Sequence, residues 1–522
     1  MRLLFLFFLC TIGLSVTAQD KSAHYAQNIN TDFLQKHLTI IAGAEMEGRG
    51  TGTPGERKAA EYIQNFFKNT GLTTVPGAEG YRQYFPLIKD SMTFSSLSFS
   101  KRNAVVGKDF VIPAIANNNG EFSSKSWIFI GYGIEDEKYN DYKDIDVKGK
   151  TVIFFLGEPK EKENYIINNT NRPSTWTFPG LRKKLALAAQ KGAAGALVIS
   201  PTIENFSDKY IQSAKVTDLS FPHTNKDEAV NYALITTGFA EQLFGSNSLI
   251  AKARKSEPFT NNDRVEKKIK TTFKYTEEQT IVNSSNVIGM VEGSDKKEEY
   301  IFVTAHYDHL GIRNGKIYYG ADDDGSGTVA VMNIAQSFAK AKAEGSGPRR
   351  SVVFMTVSGE ERGLWGSEYY SENPLLPLEK TSVDLNIDMI GRNDTERQDT
   401  LTDYVYVVGH DKISTDLPVI NEEVNNRYTK LVLDYKFDDP KDPNRIYFRS
   451  DHYNFARKGV PVLFFYDGML QSDYHKPTDT VDKINWPVYE KRAQMIFHTA
   501  WEMANREDLL KRDKPIPTDT RY

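Results

Sequence analysis

The 522-residue chain has little cysteine, little excess charge and few long hydrophobic runs. Its one cysteine, Cys10, excludes both an intramolecular disulfide and a zinc site built from several thiolates. The 65 Lys and Arg residues nearly balance the 69 Asp and Glu residues, so the composition gives no sign of the basic surface that nucleic acid or an anionic membrane requires. No run after residue 18 is long and apolar enough to span a bilayer, so we expect no membrane anchor.

Two motifs of common hydrolases are also missing. The chain contains neither the His-Glu-x-x-His pattern of zinc-binding helices nor the Gly-x-Ser-x-Gly pattern of serine hydrolases. Its composition, 39% hydrophobic and 12% aromatic, is that of a globular protein and excludes a disordered or collagen-like chain. The length predicts about two to four domains, or one large α/β domain with an insertion.

Residues 1–18 have the pattern of a cleaved signal peptide. A cation at Arg2 precedes a short apolar run, and Val16 and Ala18 occupy the −3 and −1 positions that signal peptidase prefers. A lipoprotein is disfavoured because bulky residues precede Cys10, where a lipobox has small residues. We therefore expect an exported, soluble mature chain that is either periplasmic or secreted.

Local patterns predict a helix near the N-terminus. Apolar residues of the segment 55–69 recur at helical spacing, and Gly71 is a suitable helix stop. Gly50, Gly52 and Gly55 have the spacing of a dinucleotide-binding fingerprint, but no strand precedes them and a proline interrupts them. We interpret this segment as a loop that enters a helix.

The middle of the chain has the pattern of a separate α/β module. Polar stretches near 116–125 and 255–264 bound a region of short strands and one helix. The predicted elements are strands at 126–134, 150–156 and 196–200 and a helix at 181–191. The predicted segments are a signal peptide at 1–18, the N-terminal part of the main domain at 19–89, an inserted domain at 90–270 and the rest of the main domain at 271–522.

Strands and helices alternate from about residue 285 onward. The strands are nearly continuous apolar runs, which is typical of a mostly parallel sheet covered by helices on both faces. The expected fold is therefore α/β, with a three-layer main domain around a mostly parallel, mixed central sheet and a smaller α/β domain inserted in it.

Potential metal ligands follow the ends of these strands, where open α/β sheets bind their ligands. The candidates are His306, Asp323, Glu360, Glu361, Asp388 and His475. Two imidazoles and three carboxylates, if the adjacent glutamates supply one of the three, suit zinc first in the absence of a thiolate, and cobalt or manganese next.

Each candidate alone is more often a solvated loop residue, and the prediction depends on their convergence at neighbouring strands. An EF-hand is disfavoured, because the twelfth residue counted from Asp322 is not a glutamate. The residues alone leave open which of Asp322, Asp323 and Asp324 is the ligand. His309 and His452 are interpreted as structural or supporting residues.

The C-terminal half contains five distinctive segments in a fixed order. They are AHYDHLG (305–311), GADDDGSG (320–327), SGEERGLWGS (358–367), NIDMIG (386–391) and DYHKPTDT (473–480). Together these segments resemble the co-catalytic di-zinc exopeptidases, which include bacterial secreted aminopeptidases and the glutamate carboxypeptidase group. The N-terminal EGRGTGTPGERKAAEYI segment is similar to the start of the same fold. The middle segments GYGI and KGAAGALVI resemble a protease-associated domain.

The resemblance implies a role for each matching residue. His306 and Asp388 would bind one zinc, Glu361 and His475 would bind the other, and Asp323 would bridge both.

Three further residues match supporting positions of the family. Glu360 would be the general base, Asp308 would accept the imidazole N–H of His306, and Tyr474 would steady the oxyanion. The chemistry agrees, because two neighbouring dications lower the pKa of a bridging water and polarise the scissile carbonyl.

The resemblance implies an exported zinc aminopeptidase that acts on peptide substrates, with no role for nucleic acid. A carboxypeptidase or dipeptidase on the same scaffold is the alternative, and a receptor-like binding protein without catalysis is a remote one. A glutaminyl-cyclase-like enzyme, which uses one zinc, is disfavoured. Arg445 or Arg449 could hold a substrate carboxylate or be solvated. No motif indicates the substrate side chain or the oligomeric state.

Overall fold

The structure, a computed structural model, describes residues 20–114, 120–222, 229–397, 402–439, 441–470 and 472–516. The predicted signal peptide at 1–18 lies outside the described residues and stays a prediction. Among the helices that are described, none is long and apolar enough to cross a membrane.

The described chain contains both helices and strands. The helices are α1 (Lys21–Ala26), α2 (Thr31–Ile41), α3 (Pro54–Thr70), α4 (Leu181–Gln190), α5 (Asp208–Ala214), α6 (Thr237–Phe244), α7 (Ser248–Arg254), α8 (Gly327–Ala343), α9 (Trp365–Glu372), α10 (Asp416–Tyr428), α11 (His452–Ala456) and α12 (Trp486–Asn505). The strands are β1 (Arg82–Phe99), β2 (Arg102–Asn103), β3 (Phe110–Val111), β4 (Gly120–Ser124), β5 (Trp127–Phe129), β6 (Thr151–Phe155), β7 (Lys160–Glu161), β8 (Asn164–Tyr165), β9 (Gly195–Ile199), β10 (Tyr232–Ile235), β11 (Glu266–Lys267), β12 (Thr271–Val291), β13 (Lys296–His306), β14 (Ile312–Arg313), β15 (Lys316–Ile317), β16 (Arg350–Val357), β17 (Thr381–Ile387), β18 (Tyr404–Val408), β19 (Val432–Asp434) and β20 (Val462–Tyr466).

The chain divides into two compact units. The main unit combines the chain up to Phe85 with the chain from Asn283 onward, and the inserted unit is residues 86–282. The insert expected at 90–270 falls within the inserted unit, and its identity as a protease-associated domain stays a prediction.

The main unit is built on a mixed sheet whose central strands are parallel. Its strands follow the order β19, β18, β20, β17, β13, β16, β12 and β1. Strands β16, β13, β17 and β20 are parallel neighbours, whereas β12 is antiparallel to β16 and β18 is antiparallel to β20. The predicted α/β fold with a mostly parallel, mixed central sheet is confirmed.

Helices cover both faces of this sheet. On β13, Ile301 and Val303 share a hydrophobic core with α2, α3, α8 and α12. Phe302 of the same strand packs on the other face against Tyr370 of α9 and Phe455 of α11, with ring centroids 5.5 and 5.4 Å away. Successive side chains of a strand point to opposite faces, so a strand that is apolar throughout makes both faces of the sheet apolar. Helices pack on both faces, and the main unit therefore has three layers.

The inserted unit has a sheet and a core of its own. Its strands follow the order β11, β5, β6, β9, β10 and β3, with the inner four parallel and the two edges antiparallel. The core consists of residues from this unit, among them Trp127, Phe154 and Ile199. Gly192, at φ 80°, lies in the turn between α4 and β9.

Candidate metal centre

Four parallel strands bring the predicted ligands to one edge of the main sheet. His306 is the last residue of β13, and Glu360 and Glu361 follow β16 in a 3-10 turn. Asp388 directly follows β17, and His475 lies in the loop after β20. Because β13, β16, β17 and β20 are parallel, their carboxyl ends meet at this edge.

The remaining candidate, Asp323, lies in a buried turn before α8. Its neighbours Asp322 and Asp324 accept backbone hydrogen bonds of 2.8 Å from Gly391 and Gly327. The Asp323 carboxylate instead lies within 3.3 Å of two imidazole nitrogens. Of the three adjacent aspartates, Asp323 is therefore the one placed beside the histidines.

A first group of potential ligands surrounds His306. Its Nε2 atom lies 3.3 Å from Asp323 Oδ1 and 3.6 Å from Asp388 Oδ1. Asp388 Oδ2 accepts a hydrogen bond of 2.7 Å from the Ser450 hydroxyl, which fixes the orientation of the carboxylate. One potential ligand atom of each of these three residues lies within 4.8 Å of the others, so the group could hold one ion.

A second group shares Asp323 with the first. His475 Nε2 lies 3.0 Å from Glu361 Oε2 and 3.2 Å from Asp323 Oδ2. His309 Nδ1 lies 2.7 Å from Glu361 Oε1, so the structure adds His309 to the residues brought together here. The sequence signal for His309 is its position three residues after His306 in the same segment.

The donor atoms of both groups fit a divalent cation. The buried atoms His306 Nε2 and Asp323 Oδ2 make no hydrogen bond with any described residue, although buried polar atoms are almost always paired. Imidazole and carboxylate are ligands that zinc, cobalt and manganese accept. A metal between these groups would satisfy both atoms.

Opposite charges balance one another in the site. Burial lowers the pKa of His306, but the carboxylates of Glu360 and Asp388 outweigh burial and raise the pKa well above its ordinary value. Burial raises the pKa of Asp323, but the neighbouring imidazoles of His306 and His475 outweigh burial and lower the pKa well below its ordinary value. The carboxylates therefore require positive charge beside them, which a bound cation would also supply.

Glu360 lies beside the first group. Its Oε2 atom is 3.8 Å from His306 Nε2, and its side chain is 13% exposed. Burial raises the pKa of Glu360, and the carboxylates of Asp388 and Glu361 raise it further, so that the pKa lies well above its ordinary value. A carboxylate that accepts a proton readily at this position is suited to general-base chemistry.

Asp308 supports two parts of the site. Its main-chain oxygen lies 3.0 Å from His306 Nδ1, whereas its carboxylate is 3.7 Å from that atom. The main-chain oxygen is therefore the nearer partner of the imidazole. The carboxylate accepts hydrogen bonds from the Glu360 backbone N–H at 3.2 Å and from the Thr51 hydroxyl at 2.7 Å, and so fixes the turn that carries Glu360.

The N-terminal segment of the main unit holds two ligand-bearing loops in place. The fully buried guanidinium of Arg49 donates hydrogen bonds of 2.7–2.9 Å to the main-chain oxygens of Tyr307, Ile41, Tyr319 and Gly320. The first of these oxygens directly follows His306, and the last belongs to the turn that carries Asp323. Arg49 therefore connects the backbone around both ligands.

Glu56 of α3 supports the turn after β16. Its carboxylate accepts hydrogen bonds from the Ser358 hydroxyl at 2.5 Å, from the Gly52 N–H at 2.7 Å and from the Ser284 hydroxyl. Ser358 lies two residues before Glu360. The buried hydrogen bonds thus attach the turn that carries Glu360 to α3.

Tyr474 lies close to the predicted metal ligands. Its ring stacks on His475 with centroids 3.9 Å apart, and its hydroxyl accepts a hydrogen bond of 3.2 Å from Arg449 Nη2. It lines one cavity together with Asp323, Glu360, Asp388, Met389, Ile446, Arg449, Phe464, Tyr466 and Leu470. The oxyanion role of Tyr474 stays a prediction.

Comparisons with known proteins match the segment that contains the site. Residues 286–500 match the model of peptidase family M28. A probable leucine aminopeptidase of Arthroderma otae is 28% identical over 215 residues, which cover 40% of this chain and 55% of the relative. A probable zinc metalloprotease of Leptosphaeria maculans is 34% identical over 122 residues, which cover 22% of this chain and 26% of the relative. The matching segment thus spans about half of the length of these curated relatives, or less.

A solved structure is similar over nearly the whole chain. The aminopeptidase from Aneurinibacillus sp. strain AM-1 aligns with 95% of this chain and 98% of its own, at 19% identity and a TM-score of 0.50. At this identity the likeness shows the fold alone.

Proposed function

We propose that this chain is a zinc-dependent aminopeptidase that acts on peptides, because residues 286–500 match the model of peptidase family M28. The observation that carries the proposal is the pair of ligand groups that share Asp323, since one carboxylate can bind two neighbouring ions. The similarity to a probable leucine aminopeptidase and to a probable zinc metalloprotease supports the activity and the metal.

Five residues would hold two zinc ions. His306 and Asp388 would bind one, Glu361 and His475 the other, and Asp323 both. When bound, two zinc ions polarise the scissile carbonyl and make water a stronger acid. The hydrogen bond of Ser450 to Asp388 and the polar contacts of Asp308 and Arg49 keep the ligand-bearing backbone in position.

Glu360 would act as the general base. It lines the same cavity as Asp323 and Asp388, and its turn is fixed by the Asp308 carboxylate. Its carboxylate would take a proton from water and deliver it to the leaving amine. The Tyr474 hydroxyl, which lines that cavity too, would donate a hydrogen bond to the carbonyl oxygen as charge develops there.

The composition of this cavity favours cleavage at the N-terminus. The Asp388 carboxylate on this cavity can attract the ammonium group of a free N-terminus. Met389, Phe464 and Leu470 give the cavity an apolar wall, which suits an apolar first side chain.

One panel of blocked peptides tests this proposal. We expect turnover of leucyl peptides with a free amine, loss of turnover on N-acetylation, and tolerance of C-terminal amidation. Chelation should abolish turnover, and zinc or cobalt should restore it. Activity that persists in protein shown by elemental analysis to be metal-free would contradict the zinc assignment.

Arg449 favours a second candidate, a carboxypeptidase or dipeptidase. Its guanidinium lies beside Tyr474 in the same cavity, where it could hold the C-terminal carboxylate of a substrate. The same panel distinguishes the two, because a carboxypeptidase would cleave N-acetylated peptides and reject amidated ones.

A further inference from the structure

A second cavity of the main unit adjoins the candidate metal centre. Its volume is about 430 Å³, and Arg445, Arg449 and Arg457 line it; we name it the arginine pocket. Gly363, which follows the 3-10 turn of Glu360, forms part of its wall. The mechanism proposed above does not use this cavity.

Arg449 connects the arginine pocket to the metal centre. It lines both cavities, and its Nη2 atom donates a hydrogen bond of 3.2 Å to the Tyr474 hydroxyl. Tyr474 stacks in turn on the ligand His475. A group bound to Arg449 therefore lies next to the residues that would act on the peptide bond.

Positive charge exceeds negative charge in this pocket. Arg457 is paired with Glu372 at 3.2 Å and with Glu368 at 3.6 Å. Arg449 is exposed, and within the described ranges no carboxylate lies at ion-pairing distance from its guanidinium. Arg445 adds another guanidinium to the same wall. Arg449 thus offers charged donors that a ligand can use.

We infer that the arginine pocket binds a carboxylate of the substrate, so that the chain prefers acidic peptides. The inference rests on the proposed peptidase function, because it identifies the second cavity as a substrate subsite. A guanidinium binds a carboxylate through two parallel hydrogen bonds, which gives both charge and direction. The carboxylate could belong to an acidic side chain beyond the scissile bond or to the free C-terminus of a short peptide.

Equilibrium binding tests the subsite without relying on turnover. Leucyl tetrapeptides with Glu or Gln at the second or third position, each as free acid or C-terminal amide, would be titrated into the zinc-loaded Glu360→Gln chain. We expect acidic peptides to bind about tenfold more tightly than their neutral counterparts. If the preference follows Glu at one position, the carboxylate is that side chain. If it follows the free acid, the carboxylate is the C-terminus. The preference should weaken as salt is added.

Variants of the pocket assign the preference to its arginines. Arg449→Gln and Arg445→Gln should each bring the ratio of acidic to neutral affinity toward one, whereas Arg449→Lys should retain part of it. The ratio of acidic to neutral affinity is measured because any effect of Arg449 on Tyr474 changes both affinities equally and so leaves their ratio unchanged. Arg427→Gln is the matched control, since Arg427 lies on α10 and lines neither cavity. It should leave the ratio unchanged.

The outcomes separate this inference from the proposed function. Equal affinity for acidic and neutral peptides, no binding of either, or an acidic preference that survives both Gln variants would overturn the inference. Turnover of neutral leucyl peptides by the wild-type chain tests the peptidase function separately. A chain that cleaves neutral peptides without an acidic preference would keep the function and lose the subsite.

Discussion

Two adjacent glutamates after β16 have opposite surroundings. Burial and Asp323 raise the pKa of Glu361, but His309 and His475 outweigh them and lower its pKa to about 2. At Glu360, burial and the carboxylates of Asp388 and Glu361 outweigh His306 and raise the pKa well above its ordinary value. A glutamate is therefore suited to accept a proton at position 360 and to bind a metal at position 361.

The substitution Glu360→Gln should separate chemistry from binding. It keeps the size of the side chain but removes the carboxylate that accepts a proton. We expect kcat to fall by about 10²–10⁴-fold, with metal content and peptide affinity nearly unchanged. Steady-state kinetics and elemental analysis of the same preparation measure both quantities.

The substitution Glu361→Gln should instead act through the metal. It removes one of the two side chains proposed to hold the second zinc together with Asp323, so metal content should fall and excess zinc should restore part of the activity. Glu360→Gln serves as its matched control. If Glu360→Gln lost metal while Glu361→Gln kept its full content, the two roles would be exchanged.

At the level of residues, the sequence could predict which side chains lie at one edge of the sheet, but not which atoms of those side chains contact each other. His306 and Asp388 could be expected to meet, because parallel strands end at one edge of a sheet. The approach of His309 to Glu361, and the use of the Asp308 main-chain oxygen, could not be expected. Loop side chains take their direction from distant packing, and no local pattern encodes it.

At the level of elements, the segment before α3 is expected to control the metal centre through its backbone contacts. Arg49→Lys would leave at least one of the four buried main-chain oxygens without a donor, because an ammonium cannot reproduce the guanidinium fork. We expect the free energy of unfolding to fall by about 3 kcal/mol and the zinc affinity to fall with it. Urea unfolding and zinc titration measure these effects.

A nearby arginine provides the control for this prediction. Arg57 is exposed at the start of α3 and makes one hydrogen bond of 3.3 Å to the Gly52 oxygen. Arg57→Lys should change the free energy of unfolding by no more than about 0.5 kcal/mol. Equal stability of the two variants would show that Arg49 does not hold these loops.

Some elements could be predicted from periodicity and others could not. The helix predicted at 55–69 is observed as α3, since its apolar stripe, its proline start and its glycine stop agree. Strands β18 and β19, and the antiparallel pairing of β12, were not predicted. Strand pairing is fixed by distant parts of the chain, whereas periodicity reports only the local conformation.

At the level of the whole molecule, the composition of the middle region indicated an insert but not its ends. The units meet in the chain at 85–86 and 282–283, which lie within β1 and β12. A strand that continues across a boundary carries no turn or linker residues there, so the sequence has no signal at that point.

The two units should respond differently to metal. All proposed ligands belong to the main unit, and each unit has hydrophobic cores built from its own residues. A ligand that binds the folded state stabilises it by about 2.7 kcal/mol at a hundred times its Kd. Calorimetry of the full chain should therefore show two transitions, and zinc added after chelation should raise the temperature of only one.

Expression of residues 86–282 alone assigns the transition that does not move. This unit has a complete sheet and core, so it should fold by itself and unfold at the same temperature with zinc or with chelator. His475→Ala in the full chain should remove most of the zinc-dependent shift and leave the other transition in place, because His475 is a proposed ligand of the main unit. One transition that moved as a whole with zinc would instead show that the units unfold together.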